Sequence, residues 1–292
     1  MKTKTSLIGN SINRSSVRLL FLRIPLLCAL AWFTLSSQAR AQRSASCPTG
    51  TEDTFLGVGA GQNTTGHNNT AIGFSALANN TTGEHNTAIG HGALSASDAD
   101  GNTGIGEGAL FSNTTGVSNT AVGWNALLSN SSGHNNTAIG LNGLRTNTTG
   151  YYNMANGGDA LYSNTTGHDN TASGEGALYH NTNGYYNTAD GSQALVSNTM
   201  GNYNAANGAY ALSSNTTGNV NTADGVGALA SNTSGSLNVA LGFAAGVSLT
   251  TGNGNVCVGA GVSGVAGESN TTWVRKRLRF GRDRPTSLRQ FG

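Results

Sequence analysis

A single phrase, N-T-A-I-G-x-x-A-L-x-x-N-T-T-G-x-x, fills most of this chain. Its first positions fall at Asp53, Asn69, Asn86, Asn102, Asn119, Asn136, Asn153, Asn170, Asn187, Asn204, Asn221, Asn238 and Asn255. The spacing is 17 almost throughout, and 16 between Asp53 and Asn69 and between Asn86 and Asn102. About thirteen copies therefore span 53–266. So regular a register leaves no room for a conventional domain with an irregular core.

The columns carry the physics. Position 9 holds Leu77, Leu94, Leu110, Leu127, Leu144, Leu161, Leu178, Leu195, Leu212 and Leu229. From the second copy on, position 3 is Ala except for Gly104 and Cys257; position 5 is Gly and position 15 mostly Gly. Two fixed glycines per copy, with Asn and Thr between, exclude a helix. Gly and Asn supply tight-turn backbone angles instead. The segments left between turns are four to six residues long, a length suited to strands. Each copy thus reads as one coil of an all-β parallel solenoid, its coils stacked about 4.8 Å apart. Stacking puts residue n over residue n+17. The leucines then form a buried ladder that is the structural core, and Asn and Thr form side-chain ladders that satisfy one another. One leucine and a few small residues bury only about 2–4 kcal/mol worth of apolar surface per coil. Ordering the coil costs more, so association of several chains is expected to supply the missing burial.

Position 4 behaves differently. It reads Leu56 or Phe55 in the first copy, then Ile72, Ile89, Ile105, Val122 and Ile139, then Asn156, Ser173, Asp190, Asn207 and Asp224, and is apolar again at Leu241 and Val258. The leucine column does not waver over the same copies, so position 4 is not the indispensable core. It alternates with position 3 and faces the other way. Its face is expected to be apolar and closely packed near the two ends and wetter in the middle. The polar block coincides with Tyr151, Tyr152, Tyr185, Tyr186 and Tyr203, which precede position 1 on nearby coils and form a candidate partner-binding patch. Aromatics at one phase of a rod can stack on sugars or meet a matrix protein; ordinary packing between coils is the competing reading.

The stretch "NTAIGFSALANNTTGEHNTAIGHGAL" (69–94) resembles the left-handed parallel β-roll of YadA-like heads in trimeric autotransporter adhesins. It is still more similar to the N-T-A-x-G-x-x-A-L repeats of bacterial secreted proteins with tail-fibre-like ends. The resemblance covers about 53–266 and implies a left-handed β-roll, a homotrimeric rod and an adhesive role toward host cells, matrix or carbohydrate. The pattern departs from that family in its longer repeat, and neither a heptad stalk nor strands for a membrane anchor are expected in the residues after 266.

The remaining segments frame the repeats. Lys2, Lys4, Arg14, Arg18 and Arg23 precede the apolar run "IPLLCALAWFTL" (24–35), and Ala39-Arg40-Ala41 offers a cleavage site. Residues 1–41 are expected to be a signal peptide, with an uncleaved anchor as the alternative. Residues 42–52 form a short linker, 53–266 the solenoid, and 267–292 a basic tail that is either disordered or binds an anionic surface. No later run is long enough to span a membrane. The expected location is secreted or cell-surface. Cys47 and Cys257 remain after cleavage; a disulfide is possible on export, lipidation at Cys47 is another possibility, and a small buried thiol is the simpler reading of Cys257.

Chemistry is sparse. Arg145 is the one Arg between residues 50 and 270, so the body lacks the basic face a nucleic-acid binder needs. His67, His134 and His168 share a repeat phase but lie coils apart, which argues against a metal site within one chain. No G-G-x-G-x-D calcium pattern and no phosphate-binding loop occurs. No catalytic, cofactor-binding or metal-binding residue is assigned, and no enzyme activity is expected. Asn63, Asn80, Asn113, Asn147, Asn164, Asn215 and Asn232 begin Asn-x-Ser/Thr triplets, read here as turn chemistry. Besides the adhesive rod, two readings stay open: a spacer with no ligand of its own, and an ice-binding solenoid using its Thr columns.

Overall fold

The structure, a computed structural model, describes residues 52–275. The expected signal peptide, its cleavage site, Cys28, Cys47 and the tail from Lys276 onward lie outside the described residues. Residues 52–275 form a parallel β-solenoid. Fourteen strands, from β1 (Thr54–Leu56) to β14 (Thr272–Val274), make one sheet whose spatial order is the order of the sequence. Neighbours pair in the register of the repeat: Ala121 lies beside Ala138, and Ala138 beside Ala155. Thirteen such steps give a ladder about 60 Å long. Its last rung, β14, lies beyond residue 266, where the sequence repeat fades.

Each strand is three residues, shorter than the segments expected, and covers positions 2–4 of its coil. Position 5 ends it. Gly140 there has φ +125°, and a Cβ on it would lie 2.6 Å from the carbonyl oxygen of Gly157, one coil on. Both the angle and the space demand glycine. The rest of the coil is turns, yet it remains bonded to its neighbours. In the coil 119–135 the amides of Thr120, Leu127, Ser129 and Ser131 donate forward, to carbonyls of the next coil at 2.8–3.0 Å. Those of Gly123, Asn125 and Asn135 donate back at 2.8–3.1 Å. The parallel ladder thus continues around the coil where no strand is assigned.

Inside lie position 3, position 8 and the leucines. All ten position-9 leucines are fully buried, and the position-3 alanines have essentially no exposure. Every one of those leucines has a left-handed backbone, with φ between 51° and 53°. That conformation costs an ordinary residue roughly 1–2 kcal/mol. Full burial of a leucine contributes about 1.5–3 kcal/mol, so the core side chain holds the backbone where asparagine or glycine would sit at less cost.

Two asparagine columns complete the interior. At position 1, Asn136 donates through Nδ2 to Gly150 O at 2.8 Å, and its Oδ1 accepts the amide of Asn153 on the next coil at 3.0 Å. At position 12, Asn147 donates to the same Gly150 O at 2.9 Å and to Asn130 Oδ1 of the coil before at 2.7 Å. The position-15 glycine is thereby pinned between two side chains. Its φ is not left-handed; a Cβ on Gly150 would lie 2.3 Å from Asn147 Oδ1. Space, not turn geometry, demands that glycine, in contrast to the sequence expectation. Position-13 hydroxyls join the ladder, as where Thr148 Oγ1 donates to Thr165 O at 3.0 Å.

These columns also redefine the Asn-x-Ser/Thr triplets. Asn80, Asn113, Asn147, Asn164, Asn215 and Asn232 are fully buried, whereas Asn63 is exposed. They are interior ladder members more than turn formers.

Side-chain polar atoms left buried without a partner, among the described residues, mark the places where the phrase breaks. Asp53 Oδ2 and Thr64 Oγ1 lie in the short first coil. Asn80 Oδ1 faces Ser97, which replaces asparagine in the short coil 86–101, and Asn86 Nδ2 belongs to that coil. Asn232 Oδ1 precedes Leu249, which stands at position 12 while Gly246 stands at position 9.

Candidate binding surfaces

Positions 16 and 17 carry the tyrosines onto the outer wall. Position 16 contributes His134, Tyr151, His168 and Tyr185 on four successive coils. Their rings stack face to face at centroid distances of 5.1, 4.7 and 5.0 Å, with interplanar angles of 3°, 0° and 9°. Tyr151 lies between two imidazoles and Tyr185 against one, and both are half-buried.

Position 17 has a left-handed backbone, φ 53° at Tyr152 and Tyr186 and 58° at Tyr203, and its side chains are exposed. The Tyr152 and Tyr186 rings stand at 76–85° to the stacked column. Tyr203 meets Tyr185 at 80° and lies nearly parallel to Tyr186, at 15° and 5.2 Å. Asp169 sits between Tyr152 and Tyr186 in the same column, with Oδ2 2.9 Å from His168 Nδ1. The Asp169 carboxylate raises the Tyr186 hydroxyl pKa, helped by desolvation and by the neighbouring tyrosines. The five tyrosines thus divide: Tyr151 and Tyr185 belong to the position-16 stack, whereas Tyr152, Tyr186 and Tyr203 are exposed, with Tyr186 and Tyr203 stacked on each other. The 17-residue spacing of His134, Tyr151, His168 and Tyr185 was enough to find the stack, had imidazoles and phenols been placed in one column.

A second stack lies at position 10. Arg145 Nη1 donates to Tyr162 Oη at 2.8 Å with its guanidinium 5.6 Å from that ring, and Tyr162 stacks on Tyr179 at 5.0 Å. His180 meets the edge of Tyr179 at 4.7 Å.

The outward face of the strands forms another surface. Leu56, Ile105, Ile139 and Leu241 at position 4 are exposed, as are Val58, Phe74, Trp124, Leu141 and Phe243 at position 6. Between these ends the face is mostly polar, with Asn156, Ser173, Glu175, Asp190, Asn207 and Asp224, and Val226 exposed beside the last of them. Within this chain the apolar ends are only partly packed: Ile72, Ile89, Val122 and Val258 are half-buried and the others face solvent, because positions 3, 8 and 9 already fill the coil.

The short coil 86–101 makes a notch. It lacks a residue in its N-T-T-G turn, and the Asp98 carboxylate takes the vacated place. Asp98 Oδ1 accepts the amides of Thr81, Thr82 and Gly83 at 2.8, 2.6 and 3.3 Å, and Oδ2 accepts Thr81 Oγ1 at 2.7 Å. Desolvation pushes the Asp98 pKa up, but these bonds outweigh it and hold the carboxyl down at about 2. A depression of about 400 Å³ opens there, lined by Thr82, Glu84, Asp98, Ala99, Asp100, Thr115 and Val117.

Histidine–carboxylate contacts lie on the surface: His91 with Glu107 at 3.7 Å and His85 with Glu84 at 4.0 Å. His134 and His168 share the stack, while His67 is exposed at the same phase in the first coil. Among the described residues no three His, Cys, Asp or Glu side chains are grouped to hold a metal ion. Cys257 is a free, fully buried thiol, and burial, then Glu268, raises its pKa. Among the described residues no helix is long and apolar enough to cross a membrane. No family model matches this chain, nor does any curated protein.

Proposed function

We propose that the protein is a non-enzymatic, secreted or surface-displayed adhesive rod, and that it works as a homotrimer of left-handed β-rolls. The supporting observation is the outward strand face: Leu56, Phe74, Ile105, Trp124, Ile139 and Leu141 expose apolar surface in one strip along the first six coils. A contiguous strip of this kind marks an interaction surface. Copies that run parallel and in register set apolar coil against apolar coil. An antiparallel pairing sets Ile105 and Trp124 against the polar middle coils, those of Asp190, Asn207 and Asp224. Attachment to cells, matrix or glycans is then the task of the surfaces left outside, the tyrosines among them. Export through residues 1–41 belongs to the same proposal.

Sedimentation of the purified protein tests the assembly. A species of three times the chain mass is expected, reduced to one by Ile105→Asp with Ile139→Asp; a wild-type monomer at micromolar concentration overturns it. Cell and matrix binding by the trimer tests the adhesive role, and failure on every surface favours the spacer.

A further inference from the structure

We propose that Tyr152, Tyr186 and Tyr203 form a platform for a neutral, linear polysaccharide lying along the rod; this rests on the adhesive reading. The position-16 tyrosines are half-buried in their stack and the position-17 tyrosines are exposed, so the contact surface is the latter, with Tyr186 and Tyr203 stacked into one continuous aromatic surface. The position-16 rings meet the position-17 rings at steep angles and hold them in place, leaving all three phenols exposed. Tyrosine loses little freedom on binding, and a clamped tyrosine loses less. An apolar ring face with a polar tip suits a pyranose, which has an apolar face and a rim of hydroxyls.

A ligand that repeats suits a surface that repeats. Tyr186 and Tyr203 stand on adjacent rungs, and Tyr152 is two rungs from Tyr186 across Asp169. The Asp169 carboxylate lies in the row as a hydroxyl acceptor. Charge selects the class of glycan. From residue 146 to 274 the chain carries Asp159, Asp169, Glu175, Asp190, Asp224 and Glu268 and neither Lys nor Arg. Such a field repels sulfated or sialylated chains and nucleic acid.

The test titrates hexasaccharides of β-linked glucose, N-acetylglucosamine and mannose into the purified protein by calorimetry, with heparin and polylysine alongside. Saturable binding of at least one neutral hexasaccharide is expected, and no binding of heparin. Tyr152→Ala with Tyr186→Ala, which leaves the buried ladders intact, is expected to weaken binding by about tenfold or more, a step of one decade in Kd. Tyr151→Ala tests the clamp: it lowers affinity although Tyr151 touches no sugar, and Tyr151→Phe, which keeps the ring, restores it. The proposal is overturned if no neutral hexasaccharide saturates, if the double variant binds as wild type, or if polylysine is the polymer the tyrosines capture. Equal attachment of wild type and double variant to cells overturns the platform and leaves the adhesive rod standing. Wild type that attaches to no surface and binds no hexasaccharide overturns both.

Discussion

The side-chain amide of Asn147 donates to Asn130 Oδ1 at 2.7 Å, one coil to the next, inside a wall with no exposure to water. The same link recurs from Asn164 to Asn147 and from Asn181 to Asn164. Each amide in the column is donor to one neighbour and acceptor from the other, so removing one strands atoms on both sides. Asn147→Ala is expected to cost about 2–3 kcal/mol, the scale of buried polar groups left short of partners, read from urea unfolding by circular dichroism. Asn147→Leu alone is expected to be at least as harmful, because Leu144 already fills the coil. Adding Leu144→Gly copies the chain's own Gly246/Leu249 arrangement and is expected to recover part of the loss. No recovery would mean that the two positions do not share one space.

Glycine is not equally needed everywhere. Gly140 and Gly158 lie one coil apart, at positions 5 and 6. A methyl group on Gly140 would lie 2.6 Å from a backbone oxygen, at φ +125°; one on Gly158 meets nothing within 4 Å. Gly140→Ala is therefore expected to unfold the neighbouring coils or lower the unfolding midpoint sharply. Gly158→Ala is expected to be neutral or to stabilise by up to about 1 kcal/mol through the unfolded chain. Similar midpoints for the two variants would contradict the clash.

Much of the architecture was legible because a 17-residue period maps directly onto stacked coils. The period placed Leu110 above Leu94 and Ala138 beside Ala121, and stacking followed from that alone. What the period conceals is the path within one coil. The left-handed φ of the leucines was not legible, since propensity assigns that angle to Gly or Asn, and burial overrode it. Nor was the burial of Asn147 and its column, since an N-T-T-G phrase reads as a surface turn when each copy is taken singly. Only the closure of amide upon amide between copies makes that burial affordable. On the outer wall, Tyr151 and Tyr152 are adjacent in sequence but differ in exposure, because one left-handed residue turns the second ring away from the stack.

Cys257 occupies the close-packed position-3 column beside Ala240 and Trp273. Burial favours its neutral form, and the thiolate is the reactive species. In a variant with Cys28 and Cys47 replaced by serine, Cys257 is expected to resist a disulfide reagent at pH 8 in the native state. It should react fully once urea unfolds the coils. Rapid labelling without denaturant would show that the last rungs open freely, which the ladder bonds of Val256 and Gly259 to neighbouring coils argue against.

Asp98 gives the rod an acid-sensitive joint. Its carboxyl titrates at about 2, below the ordinary value of 3.8 for an aspartate, because it accepts bonds from Thr81, Thr82 and Gly83 against the opposing effect of desolvation. A depressed folded-state pKa contributes stability that is present above the unfolded value and lost as pH falls through the folded one. The stabilisation is therefore intact at neutral pH and declines between about pH 4 and 2. Since the group is largely exposed, its size is modest, on the order of 1 kcal/mol. Asp98→Asn is expected to lower the unfolding midpoint at pH 7, and the wild-type and variant midpoints should converge as pH approaches 2. Urea titrations at pH 7, 4 and 2.5 check this. A difference that stays constant over that range would mean that shape alone, and not the charge on Asp98, closes the shortened turn.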